Sequence, residues 1–335
     1  MGPLGNIPLV IISVLLSVTA IIDACSNGGC KQLLEECSST ADCAAGLLCG
    51  SCPTRFDEGR CIRSNFTDQF KLLDGVRALM LDTYDFEDDI WLCHSFEGEC
   101  NDFTAFSPAI DTLKEVEVFL AANPSEIVTL ILEDYVESPN GLTKVFNASG
   151  LMKYWFPVSN MPQNGQDWPL VKDMVANNRR LIVFTTERKK QESEGIAYQW
   201  NYMVENMYGD DGMNSGSCPN RAESATLNDK TKPLVLVNYY KSVPIMKSSC
   251  EDNSPELLNM LQTCYGAAGN RWANFVAVDF YKRSDGRGAF QAVDRLNGKL
   301  LCGCNDVNEC TPGSLTTCNP LEPIHNSKMA VSALK

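Results

Sequence analysis

From Gly75 onward two periodicities alternate along the chain. Runs rich in β-branched and aromatic residues occur at Val76–Tyr84, Ile90–Cys93, Ile127–Leu132, Leu181–Thr185, Leu234–Tyr240 and Phe275–Tyr281, and each has the length of a strand. Between them lie helical patterns. Ser107-Pro108 reads as an N-cap followed by proline at the first helical position, and Ile110, Leu113, Val116 and Leu120 then repeat at helix spacing. Ser254-Pro255 repeats the device ahead of Leu257, Leu258, Leu261 and Cys264. Two further helices are predicted over Pro169–Asn177 and Ala197–Met207. Strands alternating with helices imply a mainly parallel sheet. Six clear strands fall short of the eight that a complete (β/α)₈ barrel requires.

Ahead of this region the pattern is different. An apolar run from Ile7 to Ile22 is too short and too close to the start for a spanning helix, and it reads as a secretory signal over residues 1–24, although no Lys or Arg precedes it. Residues 25–61 then hold seven cysteines among Gly, Ser and small polar residues, with little apolar mass to form a core. Cys49-Gly50-Ser51-Cys52 has the spacing of a zinc ligand pair, but no second pair and no nearby histidine accompanies it, so disulfides are the reading. Seven is odd, which sends one sulfur to a partner outside the module. Cys93 and Cys100 are spaced to close a short loop, and Cys302, Cys304, Cys310 and Cys318 cluster behind the main domain; spacing leaves the connectivity open. The chain thus divides into a leader (1–24), a cysteine-rich module (25–61), a large α/β domain (62–300) and a cysteine-containing tail (301–335). The tail lacks an apolar stretch long enough for a glycolipid-anchor signal.

Charge and cysteine content narrow the partners. A net charge of −14 excludes nucleic acid as a ligand and argues against simple electrostatic adhesion to anionic lipid. Any phosphate-bearing substrate then needs positive charge supplied locally. Sixteen cysteines, an even number, fit an oxidising compartment, so the protein is expected to be secreted and extracellular. The sequons Asn65-Phe66-Thr67 and Asn147-Ala148-Ser149 are candidate glycosylation sites there.

Polar groups gather where the predicted strands end. Asp82 and Asp85 follow the first run, His94 the second, Glu133 and Asp134 the third, and Asp279 lies in the last. In a barrel of parallel strands such positions face the mouth. A carboxylate there is costly unless paired, hydrogen-bonded or bound to metal, so the set points to chemistry more than any single member does. Tyr84, Trp200 and Tyr239 are aromatic candidates for stacking on a sugar-like ring, set against ordinary packing.

The segment Gly75-Val76-Arg77-Ala78-Leu79-Met80-Leu81-Asp82 resembles the Gly-x-Arg-x-x-x-x-Asp strand of the X domain of phosphatidylinositol-specific phospholipase C. Trp91-Leu92-Cys93-His94-Ser95 resembles that domain's next strand, which ends in a catalytic histidine, and Ser125 to Tyr135 its carboxylate-bearing strand. The cysteine-rich front, Tyr198-Gln199-Trp200-Asn201-Tyr202 and Tyr265-Gly266-Ala267-Ala268-Gly269-Asn270-Arg271-Trp272 resemble secreted plant proteins carrying this domain, and the resemblance runs from Cys25 to about Cys310. It implies an α/β fold of the PLC-like TIM-barrel type, incomplete or distorted, with a small disulfide-rich module in front. It also implies a phosphoric diester hydrolase acting on phosphoinositide-like lipids at a membrane surface that it visits peripherally.

In that family one histidine takes the proton of the attacking inositol hydroxyl, a second protonates the departing diacylglycerol oxygen, and a basic residue or Ca²⁺ stabilises the phosphoryl oxygens. His94 matches the second histidine. Asp279 resembles an aspartate that orients a histidine, Asp82 and Glu133 match calcium ligands, and Arg188, Tyr84 and Trp200 are the substrate-binding candidates. Three departures qualify this. The segment that carries the first histidine is missing before Gly75, and the chain has only two histidines, His94 and His325, the latter in the polar tail. The same segment would have supplied an asparagine ligand. Met80 stands where calcium-dependent relatives carry glutamate, and a thioether is a poor Ca²⁺ ligand, so tight calcium binding is not expected. The hydrolase reading therefore stands against a secreted, non-catalytic protein that binds lipid or inositol phosphate on the same scaffold.

Overall fold

The structure, a computed structural model, describes residues 29–31, 35–44, 47–50, 59–63, 72, 75–95, 98–284, 288–311 and 318. The predicted leader, the sequon at Asn65 and His325 lie outside these residues. In the front module, β1 (Glu36–Cys37), β2 (Leu47–Gly50) and β3 (Gly59–Arg63) form a small antiparallel sheet in the order β1-β3-β2. The bridges Cys37–Cys49 and Cys43–Cys61 fill its centre in place of an apolar core.

In the main domain, β4 (Ala78–Phe86) pairs antiparallel with β5 (Asp89–Cys93), which pairs with β6 (Ala105–Pro108). On its other side β4 starts a parallel arc through β7 (Val128–Tyr135), β8 (Leu181–Thr185) and β9 (Ala197–Tyr198). A second parallel arc holds β10 (Met203–Glu205), β11 (Leu234–Asn238) and β12 (Phe275–Ala277). Among the described residues no ladder joins β9 to β10 or β12 to β4, so the sheet is two arcs and not a closed barrel. β8 and β11 are buried along their whole length, as expected for parallel strands covered on both faces.

Alternation along the strands sorts the side chains into two layers. Leu79, Leu130, Leu132, Leu181 and Val183 pack outward with α1 (Ala109–Ala122) and α2 (Gly141–Ser149). Val204, Val235 and Val237 do the same with α7 (Pro255–Ala267) and α8 (Gly288–Leu301). On the inner face Ile131, Ile182, Phe184, Leu236 and Phe275 form a third cluster, against which Met80 packs. Met80, the residue in the place of a glutamate, is thus part of the apolar interior.

Some boundaries depart from expectation. Ser107 does not cap a helix; it pairs with Leu92 at the end of β6, and Pro108 is the cap residue of α1. Ser254 does precede α7, with its proline in the first turn. The helix predicted over Pro169–Asn177 shortens to α3 (Val171–Ala176). The helix predicted over Ala197–Met207 is absent: β9, a 3₁₀ turn at Gln199–Asn201 and β10 replace it. Ladder partners on β8 and β11 hold this segment extended at its two ends. The last strand stops at Ala277, so Asp279 sits in a bend beyond it, followed by Phe280 at φ 43°.

Besides the module bridges, disulfides join Cys93–Cys100, Cys218–Cys264, Cys302–Cys310 and Cys304–Cys318, and Cys30 and Cys250 are also disulfide-bonded. The sequon asparagine Asn147 is exposed on α2.

Candidate active site

One further step along each inner-face row exchanges apolar side chains for polar ones. Met80 is followed by Asp82, Ile131 by Glu133, Met203 by Glu205 and Leu236 by Asn238, while Asp279 lies two residues beyond Ala277. Four of them lie within the last three residues of the parallel ladders, toward their carboxyl ends, and Asp279 follows the last strand. β5 adds His94, whose backbone N–H donates to Thr104 O at 3.0 Å and whose loop is closed by Cys93–Cys100.

His94 is half exposed, and its Nδ1 lies 3.8 Å from Asp82 Oδ2. Burial, reinforced by the charge of Glu133, pushes the Asp82 carboxyl up to about 7. Asp279, in the bend beyond β12, lies within electrostatic reach of the same histidine. Burial raises its carboxyl to about 6; His94 opposes that rise and Asp252 adds to it. Tyr135 donates its hydroxyl to Glu133 Oε1 at 2.8 Å, and its ring stacks on buried Tyr84 with centroids 4.5 Å apart. Burial is the main reason that both phenols are raised above their ordinary value.

Glu205 and Arg221 were not legible as site residues. Glu205 is fully buried, and its carboxylate accepts hydrogen bonds from Arg221, Asn238, Gln199 and Trp200. Its carboxyl is raised by burial, against the opposing pull of Arg221 and its hydrogen-bond donors. Burial works against the Arg221 cation, but Glu205 and Glu223 hold it above its ordinary range. The guanidinium lies over the rings of Trp200 and Tyr208, and its Nη2 is 4.0 Å from Glu133 Oε1. No sequence motif brings residues 133, 205 and 221 together; only strand order does.

The predicted set therefore divides. Asp82, His94, Glu133, Tyr84 and Asp279 converge. Trp200 is buried, with one face under Arg221 and its Nε1 donated to Glu205, so its ring holds the site together. Arg188 lies past the end of β8 in an open cleft of about 540 Å³ lined by Thr186, Glu187, Lys189, Glu192 and Tyr198, where its guanidinium stacks on the Tyr198 ring. Tyr239 is buried.

The donors at the mouth do not suit the calcium ion that the resemblance implies. Ca²⁺ takes six to eight oxygen ligands. Here two carboxylates face each other, Met80 occupies the third position, and Arg221 already brings a cation to Glu133. Among the described residues, every cluster of three ligand-type side chains includes disulfide-bonded cysteines.

Comparison with known proteins gives the following. Residues 60–297 match the family model described as PI-PLC X. A PI-PLC X domain-containing protein of Arabidopsis thaliana is 47% identical over 340 residues, covering 87% of this chain and 79% of the relative. An uncharacterized secreted protein of Arthroderma benhamiae is 26% identical over 251 residues, covering 70% of this chain and 56% of its own. Among solved structures, a phosphatidylinositol-specific phospholipase C of S. aureus aligns with TM-score 0.40 and 12% identity over 66% of this chain and 78% of that one. PLC21 of S. officinalis aligns with TM-score 0.32 and 15% identity over 63% and 26%.

Proposed function

Since this chain belongs to the PI-PLC X-domain family, we propose that it is a phosphoric diester hydrolase acting at this mouth on phosphatidylinositol-like phosphodiesters. The observation that supports the reading is the approach of His94 Nδ1 to Asp82 Oδ2, 3.8 Å apart at the mouth, with Asp279 within electrostatic reach of the same histidine. A histidine ring held beside Asp82 can serve as the general acid toward a departing alkoxide oxygen. An inositol hydroxyl attacks phosphorus, the bond from phosphorus to the glycerol oxygen breaks, and His94 protonates that oxygen. The hydroxyl proton goes to a carboxylate, because no second imidazole stands among the described residues; Asp82 and Asp279, raised to about 7 and about 6, flank the place. Arg221, 4.0 Å from Glu133, brings a positive charge to the mouth for the phosphoryl oxygens. Arg188, on its own cleft, offers a second cation for substrate phosphate or ring hydroxyls.

The disulfides and the secreted fungal relative support an extracellular location, and no helix among the described residues is long and apolar enough to cross a membrane. A second reading, binding without turnover, draws support from the single described imidazole. The two separate in one assay: release of water-soluble inositol phosphate from phosphatidylinositol by the secreted protein. Turnover that falls by about 10²–10⁴ in His94→Ala supports the hydrolase. Inositol phosphate bound by a folded protein that releases no product supports the second reading and sinks the first.

A further inference from the structure

The turn that carries Asp279 has no ladder to hold it. β12 ends at Ala277, and Asp279 follows in a bend. Phe280, the next residue, adopts φ 43°, a left-handed conformation that a bulky side chain keeps only where its surroundings impose it. One buried side chain does so. Asn253 is 1% exposed, and its Nδ2 donates to three carbonyls of this turn: Asp279 O at 2.7 Å, Arg283 O at 3.0 Å and Phe280 O at 3.3 Å. Within the turn, Arg283 donates its own N–H to Phe280 O at 2.6 Å. A side-chain amide has two N–H bonds to give, so the whole donor capacity of Asn253 goes to a single loop.

Asn253 is itself fixed. It stands at the junction of the helix Met246–Asp252 and α7, where its backbone N–H donates to Ser249 O at 2.9 Å. Beside it Ser254 donates Oγ to Cys250 O at 2.6 Å, and Cys250 is disulfide-bonded. The neighbouring Asp252 adds to the rise of the Asp279 carboxyl, so this corner lies against the mouth. We propose that Asn253 is a positioning residue of the candidate active site, which clamps the turn at Asp279 and so keeps that carboxyl within reach of His94. It acts through Asp279 and not on the substrate. The consequence for turnover rests on the hydrolase reading; the consequence for His94 does not.

The test reads His94 directly. The chain has two histidines, so the full secreted protein gives two imidazole signals by NMR, and His94→Ala identifies which belongs to His94. Asn253→Ala is expected to move the His94 signal at fixed pH, as Asp279→Asn does, and the double variant to move it no further than Asp279→Asn alone. In the phosphatidylinositol assay Asn253→Ala is expected to lower kcat by about 10²-fold with KM little changed, again without adding to Asp279→Asn. Asn253→Ser keeps one donor on a smaller side chain; it is expected to fall between the two and stands in for Asn253→Ala if that variant does not fold. Ser249→Ala removes a buried hydroxyl from the same helix, one that bonds Ile245 O at 3.1 Å and not the turn, and is expected to leave both readouts at wild type. Thermal unfolding confirms that each variant is folded. A His94 signal unmoved in folded Asn253 variants, effects that add in the double variant, or an equal movement in Ser249→Ala overturns the proposal. If wild type shows no turnover while the signal still moves, the hydrolase reading fails alone. If wild type turns over and neither the signal nor kcat responds to Asn253→Ala, the positioning role fails alone.

Discussion

Asp82 shows what a single position at the mouth costs the fold. Its carboxyl stands at about 7 against an ordinary 3.8, chiefly through burial. The folded state therefore holds a proton that the unfolded chain has already released between these values. Stability then falls as pH rises from about 4 to about 7. Asp82→Asn removes this slope. The variant is expected to unfold at a higher midpoint than wild type at pH 8 and at the same midpoint near pH 4. With a third of the side chain in water, the difference is on the order of 1 kcal/mol. Denaturant melts across that pH range check it, and an unchanged slope would remove Asp82 as its source. His94 and Asp82 were readable as candidates because each follows a strand-like run. Their 3.8 Å approach was not, because it depends on β5 folding back against β4.

At the scale of elements, the segments with continuous apolar runs were legible and the mixed ones were not. Ile127–Leu132, Leu181–Thr185 and Leu234–Tyr240 contain β7, β8 and β11 to within a few residues, because burial on both faces demands an unbroken apolar run. The stretch from Ala197 to Met207 departs from the predicted helix: Tyr198, Trp200 and Tyr202 alternate with period two, and its backbone completes two ladders. Disulfides add a constraint that no periodicity carries. Cys218–Cys264 ties the segment before β11 to α7 across 46 residues, and Cys264 is buried in the helix. Loop-closure entropy gives this bridge about 4 kcal/mol. Cys218→Ala/Cys264→Ala should lose about that much in denaturant unfolding. A loss below about 1 kcal/mol would mean that packing alone holds α7 in place.

For the molecule as a whole, the question is what holds two sheet arcs together when no backbone ladder joins them among the described residues. Part of the answer is the shared apolar interior, in which Met80 of the first arc and Phe275 of the second belong to one cluster. The other part is Arg221, hydrogen-bonded to Glu205 on β10 and 4.0 Å from Glu133 on β7. Arg221→Met leaves a buried carboxylate without its cation and is expected to cost about 3–5 kcal/mol, and Arg221→Met/Glu205→Gln to recover much of it. A double variant no more stable than the single would show that the ion pair is not what Arg221 contributes. Strand-helix alternation was enough for an α/β domain, and short segments such as the one from Gly75 to Asp82 for a family resemblance, because both are properties of local order. The methionine at position 80 was equally plain from sequence. Only the tertiary structure decided which strands neighbour which among the described residues, and that Glu205 and Arg221 join the mouth. Those outcomes follow from pairing between residues far apart in the chain, and such pairing leaves no period or spacing for a sequence to display.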